Sequence, residues 1–167
     1  MKRPLVLLLL APLLLVIGTT MPAQAVSPHF INASGTLNND GTLTVNFKEA
    51  GLGTNQNIDY LLSADGTATY VCVNKGGANP SAQNKTTVNG PVSATGTFSS
   101  GKNGNVTASL TVSPPPSDIT CPKGQSLQLA SVTYTNVELT DTTNDVTAPI
   151  PGTFSSGCLL PNVRGAC

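Results

Sequence analysis

Glu49 is the residue best placed to do chemistry. In the stretch TVNFKEAGLGTNQ, Val45, Phe47 and Glu49 share one parity, and a Gly-x-Gly follows. Residues two apart on a strand lie on one face, so Glu49 falls on the apolar side of its strand. Two roles suit it. A glycosidase needs only two carboxylates at a suitable separation, and Glu49 would be one of them. Alternatively, Glu49 is a structural carboxylate at a strand end, accepting hydrogen bonds from the backbone N–H groups of residues 51–54. The structural role is the expectation. The other strand glutamate, Glu138, lies on the opposite parity to Val137 and Leu139 and should face solvent or the other sheet surface. Three tyrosines, four phenylalanines and no tryptophan leave little for the aromatic platforms of a sugar site. The glycines read as a turn, because the βαβ context of a dinucleotide loop is missing.

Other chemistry fails on inventory. The single histidine, His29, lies near the start of the exported chain, and a nucleophile–base pair needs such a group held in a fixed cleft. The four cysteines (Cys72, Cys121, Cys158, Cys167) have no C-x-x-C spacing for a zinc site. For calcium, Asn38, Asp40 and Gly41 begin an EF-hand-like spacing, but Phe47 stands where the closing glutamate belongs. Asp141, Asn144 and Asp145 offer a second acidic loop, which reads as a solvated turn. No metal or cofactor is expected. One loop has a sharper alternative. Cys121-Pro122-Lys123 looks like the reactive loop of subtilisin-inhibitor-type proteins, with Lys123 as a possible inhibitory residue in a preorganised loop. The rest of the chain does not match that family.

The segments that must position these residues begin after a leader. Lys2 and Arg3, the apolar run PLVLLLLAPLLLVIG and the small-x-small Ala23-Gln24-Ala25 form the three parts of a secretory signal peptide over residues 1–25. Cleavage leaves 167 − 25 = 142 residues, 26–167, one domain by size. The expectation is a secreted, extracellular chain with no membrane attachment after cleavage. Its charge is six basic against eight acidic residues, with Arg164 the one arginine after the leader. Nucleic-acid binding needs clustered cations and is set aside.

Four cysteines in an exported chain read as two disulfides. Of the three pairings, Cys72–Cys121 with Cys158–Cys167 is favoured, since a short tail is otherwise hard to hold. Asn32, Asn84 and Asn105 head N-x-Ser/Thr sequons that matter only in a host that glycosylates secreted chains.

Thr and Val abound and helix formers are scarce, which favours the pleated sheet. Strands are expected at HFINASGTLN, TLTVNFKE, NIDYLLSA, TATYVCVN, KTTVNG, VSATGTFSS, GNVTASLTVSP, SLQLASVTYTNVELTD and VTAPIPGTF. Asn38–Thr42 reads as a turn and Asp65-Gly66 as the tip of a hairpin. In SLQLASVTYTNVELTD the apolar parity changes twice, which calls for bulges or burial on both faces. The prolines of VTAPIPGTF mark an edge strand. Eight or nine short strands predict an all-β, two-sheet antiparallel sandwich, immunoglobulin-like in general architecture. Tyr70-Val71-Cys72 imitates the Y-x-C of that fold. It carries the first cysteine rather than the second, and the core tryptophan is missing.

FKEAGLG, TYVCVNKGG and VTYTNVELTDTTNDV, in that order, resemble a group of small exported bacterial proteins. The resemblance implies export and an all-β fold and carries no chemistry. The function expected is therefore non-catalytic: binding of an extracellular ligand or protein, or a structural role. N-terminal sequencing of protein recovered from the medium should begin at Val26. Recovery of chains still carrying residues 1–25 would overturn the soluble, exported reading.

Overall fold

The structure is a computed structural model that describes residues 27–78 and 84–167. The leader, residues 1–25, therefore lies outside the described residues. Eight strands follow in order: β1 (His29–Leu37), β2 (Leu43–Ala50), β3 (Asn57–Asn74), β4 (Lys85–Ser99), β5 (Val106–Val112), β6 (Gln125–Asp141), β7 (Val146–Ile150) and β8 (Phe154–Ser155). They form two antiparallel sheets. One has the order β1-β2-β5; the other runs β4-β3-β6-β7, with β8 added against β6. The chain is an all-β, disulfide-linked sandwich.

Alternation builds the core. Leu43, Val45 and Phe47 of β2 face Ile58, Tyr60 and Leu62 of β3 and Val132, Tyr134 and Leu139 of β6, and all are buried. Between these faces Phe47 packs on Tyr60 with ring centroids 4.7 Å apart, and Phe30 and Phe98 meet the same pair edge-on or tilted. The two parity changes of β6 are bulges. Its register against β3 slips between Ser63 and Asp65 and again between Thr69 and Tyr70. Asn136 sits at the first slip with φ 50°, a conformation asparagine tolerates better than most residues. The proline-marked last strand is indeed at an edge.

The Asp65-Gly66 hairpin is a correction. β3 runs straight through both residues as one strand of 18, with Asp65 paired to Pro91 and Thr135 and Gly66 to Gly90 and Tyr134. The two segments expected on either side of Gly90-Pro91 likewise join into one strand, β4. Pairing on both flanks overrides the local turn preference. Gly66 answers a different need. A Cβ there would stand 2.8 Å from Pro115, so the glycine admits the proline-rich loop. Tyr70 Oη donates to Pro115 O at 3.0 Å, a bond to a distant loop and not the short upstream bond of a tyrosine corner.

Both disulfides pair as expected, Cys72–Cys121 and Cys158–Cys167. The first pins the loop of residues 113–124 to β3. The second closes the C-terminal tail over a small separate core of Val71, Val73, Ala130 and Ala166. Leu159 N donates to Ala130 O at 2.8 Å and Lys85 Nζ to Ala166 O at 2.9 Å, which fixes the tail along its length. Replacing Cys72 and Cys121 together by alanine frees a loop of 49 residues. The expected loss is up to about 4 kcal/mol, against roughly 2–3 kcal/mol for the tail bridge. Urea midpoints of the two double variants test that order.

Candidate functional site

β2 carries Glu49 to the end of the sandwich where three loops gather: residues 51–56, 100–105 and 142–145. The expected parity holds, and Glu49 is fully buried (0% exposed). Its expected partners do not. Both carboxyl oxygens lack a hydrogen-bond partner. The neighbouring loop sends its donors the other way: Leu52 N to Gly104 O at 3.0 Å, Asn55 N to Gly101 O at 2.7 Å and Gln56 N to Ser100 Oγ at 2.9 Å. Gly51 and Gly53 adopt φ of 77° and 74°, and the loop they shape turns onto residues 100–105. The side chain of Glu49 points into the space between the sheets, so the structural role assigned from sequence is corrected in its partners.

What surrounds Glu49 is acidic and aromatic. Tyr60 and Asp141 are directly paired across β3 and β6, and both are buried. Phe30 pairs with Glu49 across β1 and β2, and Val106 pairs with it across β2 and β5. Desolvation among these groups is the first reason that the Glu49 pKa is pushed up, from 4.5 to about 7. The nearby Asp141 carboxylate adds to the rise, while Tyr60 and, more weakly, His29 oppose it. The Tyr60 hydroxyl and the Glu49 carboxyl perturb each other's ionisation, yet Tyr60 Oη also lacks a partner of full hydrogen-bond geometry. Burial first, and Glu49 second, push the Tyr60 phenol far above its ordinary value.

Asp141 departs from the expected solvated turn: it is buried and continues the inward parity of Val137 and Leu139 as Glu49 continues that of Val45 and Phe47. That parity was the available signal. Its own oxygens are satisfied: Oδ1 accepts from Thr143 N at 2.8 Å and Asn144 N at 3.0 Å, and Oδ2 accepts from Asn144 Nδ2 at 2.6 Å. Glu138 is exposed, as expected. Glu49 and Asp141 are thus the acidic pair the fold brings together, inside the sandwich and not along a cleft. A recess of about 360 Å³ at this end is lined by Leu52, Gly53, Gln56, Asn57, Ile58, Thr143 and Asn144, and by neither acid.

The remaining candidates lie elsewhere. Asp40 Oδ1 accepts from Thr42 Oγ1 at 2.7 Å and Thr42 N at 3.0 Å, chiefly the first of which holds its pKa below the ordinary value. It folds a turn with Asn38. Lys123 sits in a tight turn closed by Gln125 N to Pro122 O at 3.0 Å, with Gly124 at φ 85°. An inhibitory loop presents an extended, substrate-like strand, so this geometry counts against the inhibitor reading. Asn32 and Asn105 are exposed, and Asn84 Nδ2 donates to Gln125 Oε1 at 3.1 Å.

Outward faces of both sheets are polar. On the three-stranded sheet the ranks are Asn32–Lys48–Thr107, Ser34–Asn46–Ser109 and Thr36–Thr44–Thr111. The five-stranded sheet continues the pattern, with Thr67 donating to Asn89 at 2.7 Å and Thr69 bonded to Thr87 at 3.0 Å. No protein-family model matches the chain, and no curated protein or solved structure matches it.

Because the pKa of Glu49 is raised in the fold, its neutral form is the one the fold favours. Its contribution to stability is complete below pH 4.5 and is lost as pH rises through about 7. Stability should fall by roughly 3 kcal/mol across that window on account of Glu49. Glu49→Gln should flatten this part of the pH profile and be more stable than the parent at mildly alkaline pH. Urea melts of both proteins from acid to alkaline pH check it. A parent profile with no such fall, or a Glu49→Gln profile with the same fall, would contradict the assignment.

Proposed function

We propose that the chain is a secreted, non-catalytic protein that binds an extracellular ligand or protein, or serves as a structural component outside the cell. One observation carries the non-catalytic half. Glu49 and Asp141, the two acids that could share a hydrolytic role, are each 0% exposed, so a substrate has no route to them in the folded chain. Glycosidases instead hold two carboxyl groups on either side of a bound sugar.

Two disulfides favour an oxidising compartment. The leader motif of residues 1–25 and the resemblance to exported bacterial proteins point the same way. Among the described residues no helix is long and apolar enough to cross a membrane. The binding half draws support from the broad faces of hydroxyl and amide side chains, which suit polar, wet contacts spread over an area.

Purified protein should release no product from a panel of aryl glycosides and polysaccharides above the level of a Glu49→Gln variant. It should leave trypsin and subtilisin uninhibited, with or without Lys123→Ala. Turnover abolished by Glu49→Gln, or inhibition abolished by Lys123→Ala, would replace this reading with the enzyme or the inhibitor.

A further inference from the structure

We propose that Glu49 and Asp141 form a proton-operated latch that holds the two sheets together at one end of the sandwich. The two acids belong to different sheets: Glu49 to β2 of the three-stranded sheet, Asp141 to β6 of the five-stranded one. Asp141 is anchored by three donors from its own turn, while Glu49 has none. Of the pair, Glu49 is therefore the group that carries the proton. In the latch a neutral Glu49 turns its unpartnered O–H toward Asp141, a polar contact from one sheet to the other.

Removal of that proton leaves two carboxylates in a dry space, where like charges cannot both be tolerated. The groups that face Glu49 offer little relief. β1 contributes His29, which is exposed at the rim, and β3 contributes the one Tyr60 hydroxyl. β5 contributes apolar Val106, and Phe98 of β4 packs on Phe47 and Tyr60. Burial already places the loss of the Glu49 proton near neutral pH. Repulsion then drives the end of β2 and its loop away from β6 and admits water.

The opening is local, because the other end is tied independently. There the buried Tyr134 Oη donates to Gly41 O at 2.8 Å, holding the β1–β2 turn to β6. Close to the latch, loop 51–56 meets loop 100–105 through short backbone bonds that rupture when the end opens.

Amide hydrogen exchange on the 26–167 chain, corrected for base catalysis, tests the latch. From about pH 5.5 to about pH 8.5, protection of Leu52, Asn55 and Gln56 should drop by about tenfold or more, while Asn38 and Gly41 keep theirs. Glu49→Gln should hold protection constant at both ends. The carboxyl carbon resonance of Glu49 in the parent supplies a second measurement, and should titrate near neutrality. Equal loss at both ends, pH-independent protection in the parent, or the same loss in Glu49→Gln would overturn the latch. So would a Glu49 titration in the ordinary carboxylate range. If Glu49→Gln does not fold, the parent's exchange pattern and titration decide the matter by themselves.

Discussion

The structure depends on one constraint: two sheets must each present a dry face to the other. With no helix among the described residues to cover them, the faces of β2, β3, β5 and β6 are buried against each other. Phe47 on Tyr60 is the centre of that contact, and Phe30 and Phe98 close around it. Everything on the inward parity is committed to the interior, whatever its chemistry. Glu49 and Asp141 are there because Val45, Phe47, Val137 and Leu139 are there.

That commitment has an electrostatic cost, which the molecule distributes unequally. Asp141 turns its oxygens toward the amides of its own turn and becomes part of the β6–β7 connection. Glu49 cannot do the same, because the glycines after it aim the next loop at residues 100–105. An acid with no donors in a dry site is stable when it keeps its proton. Glu49 is thus an acid whose ionic form the fold opposes, at the end where the loops gather. The opposite end is held by a hydrogen bond from Tyr134, the Cys72–Cys121 bridge and the folded-back tail.

The edges and loops are handled by glycine and proline in ways that serve tertiary contacts. Gly35 gives its space to the ring of Phe154, and Gly66 gives its space to Pro115. Neither marks a turn. Glycine does mark turns where it adopts a positive φ, as at Gly41 and Gly124. Polar side chains cover the outward parity and bond to one another in cross-strand pairs, leaving broad hydroxylated faces.

Period-two alternation is a local property of the backbone, so the sequence alone determined the all-β class and the inward face of β2, and it narrowed β6 to bulges or burial on both faces. Chain order and tail length were enough to favour the disulfide pairing that the fold adopts. What the sequence could not decide was anything that depends on a neighbour from elsewhere in the chain. Asp65-Gly66 has the chemistry of a turn, and only pairing with β4 and β6 on both flanks keeps it extended. Asp141 has the composition of a solvated loop but the inward parity of Val137 and Leu139, and its pairing with Tyr60 decides between the two and makes it a buried acid. Glu49 could be placed on a face from its spacing. Its partner could not be read there, because hydrogen-bond donors and opposing charges are brought together by the packing of two sheets, not by distance along the chain.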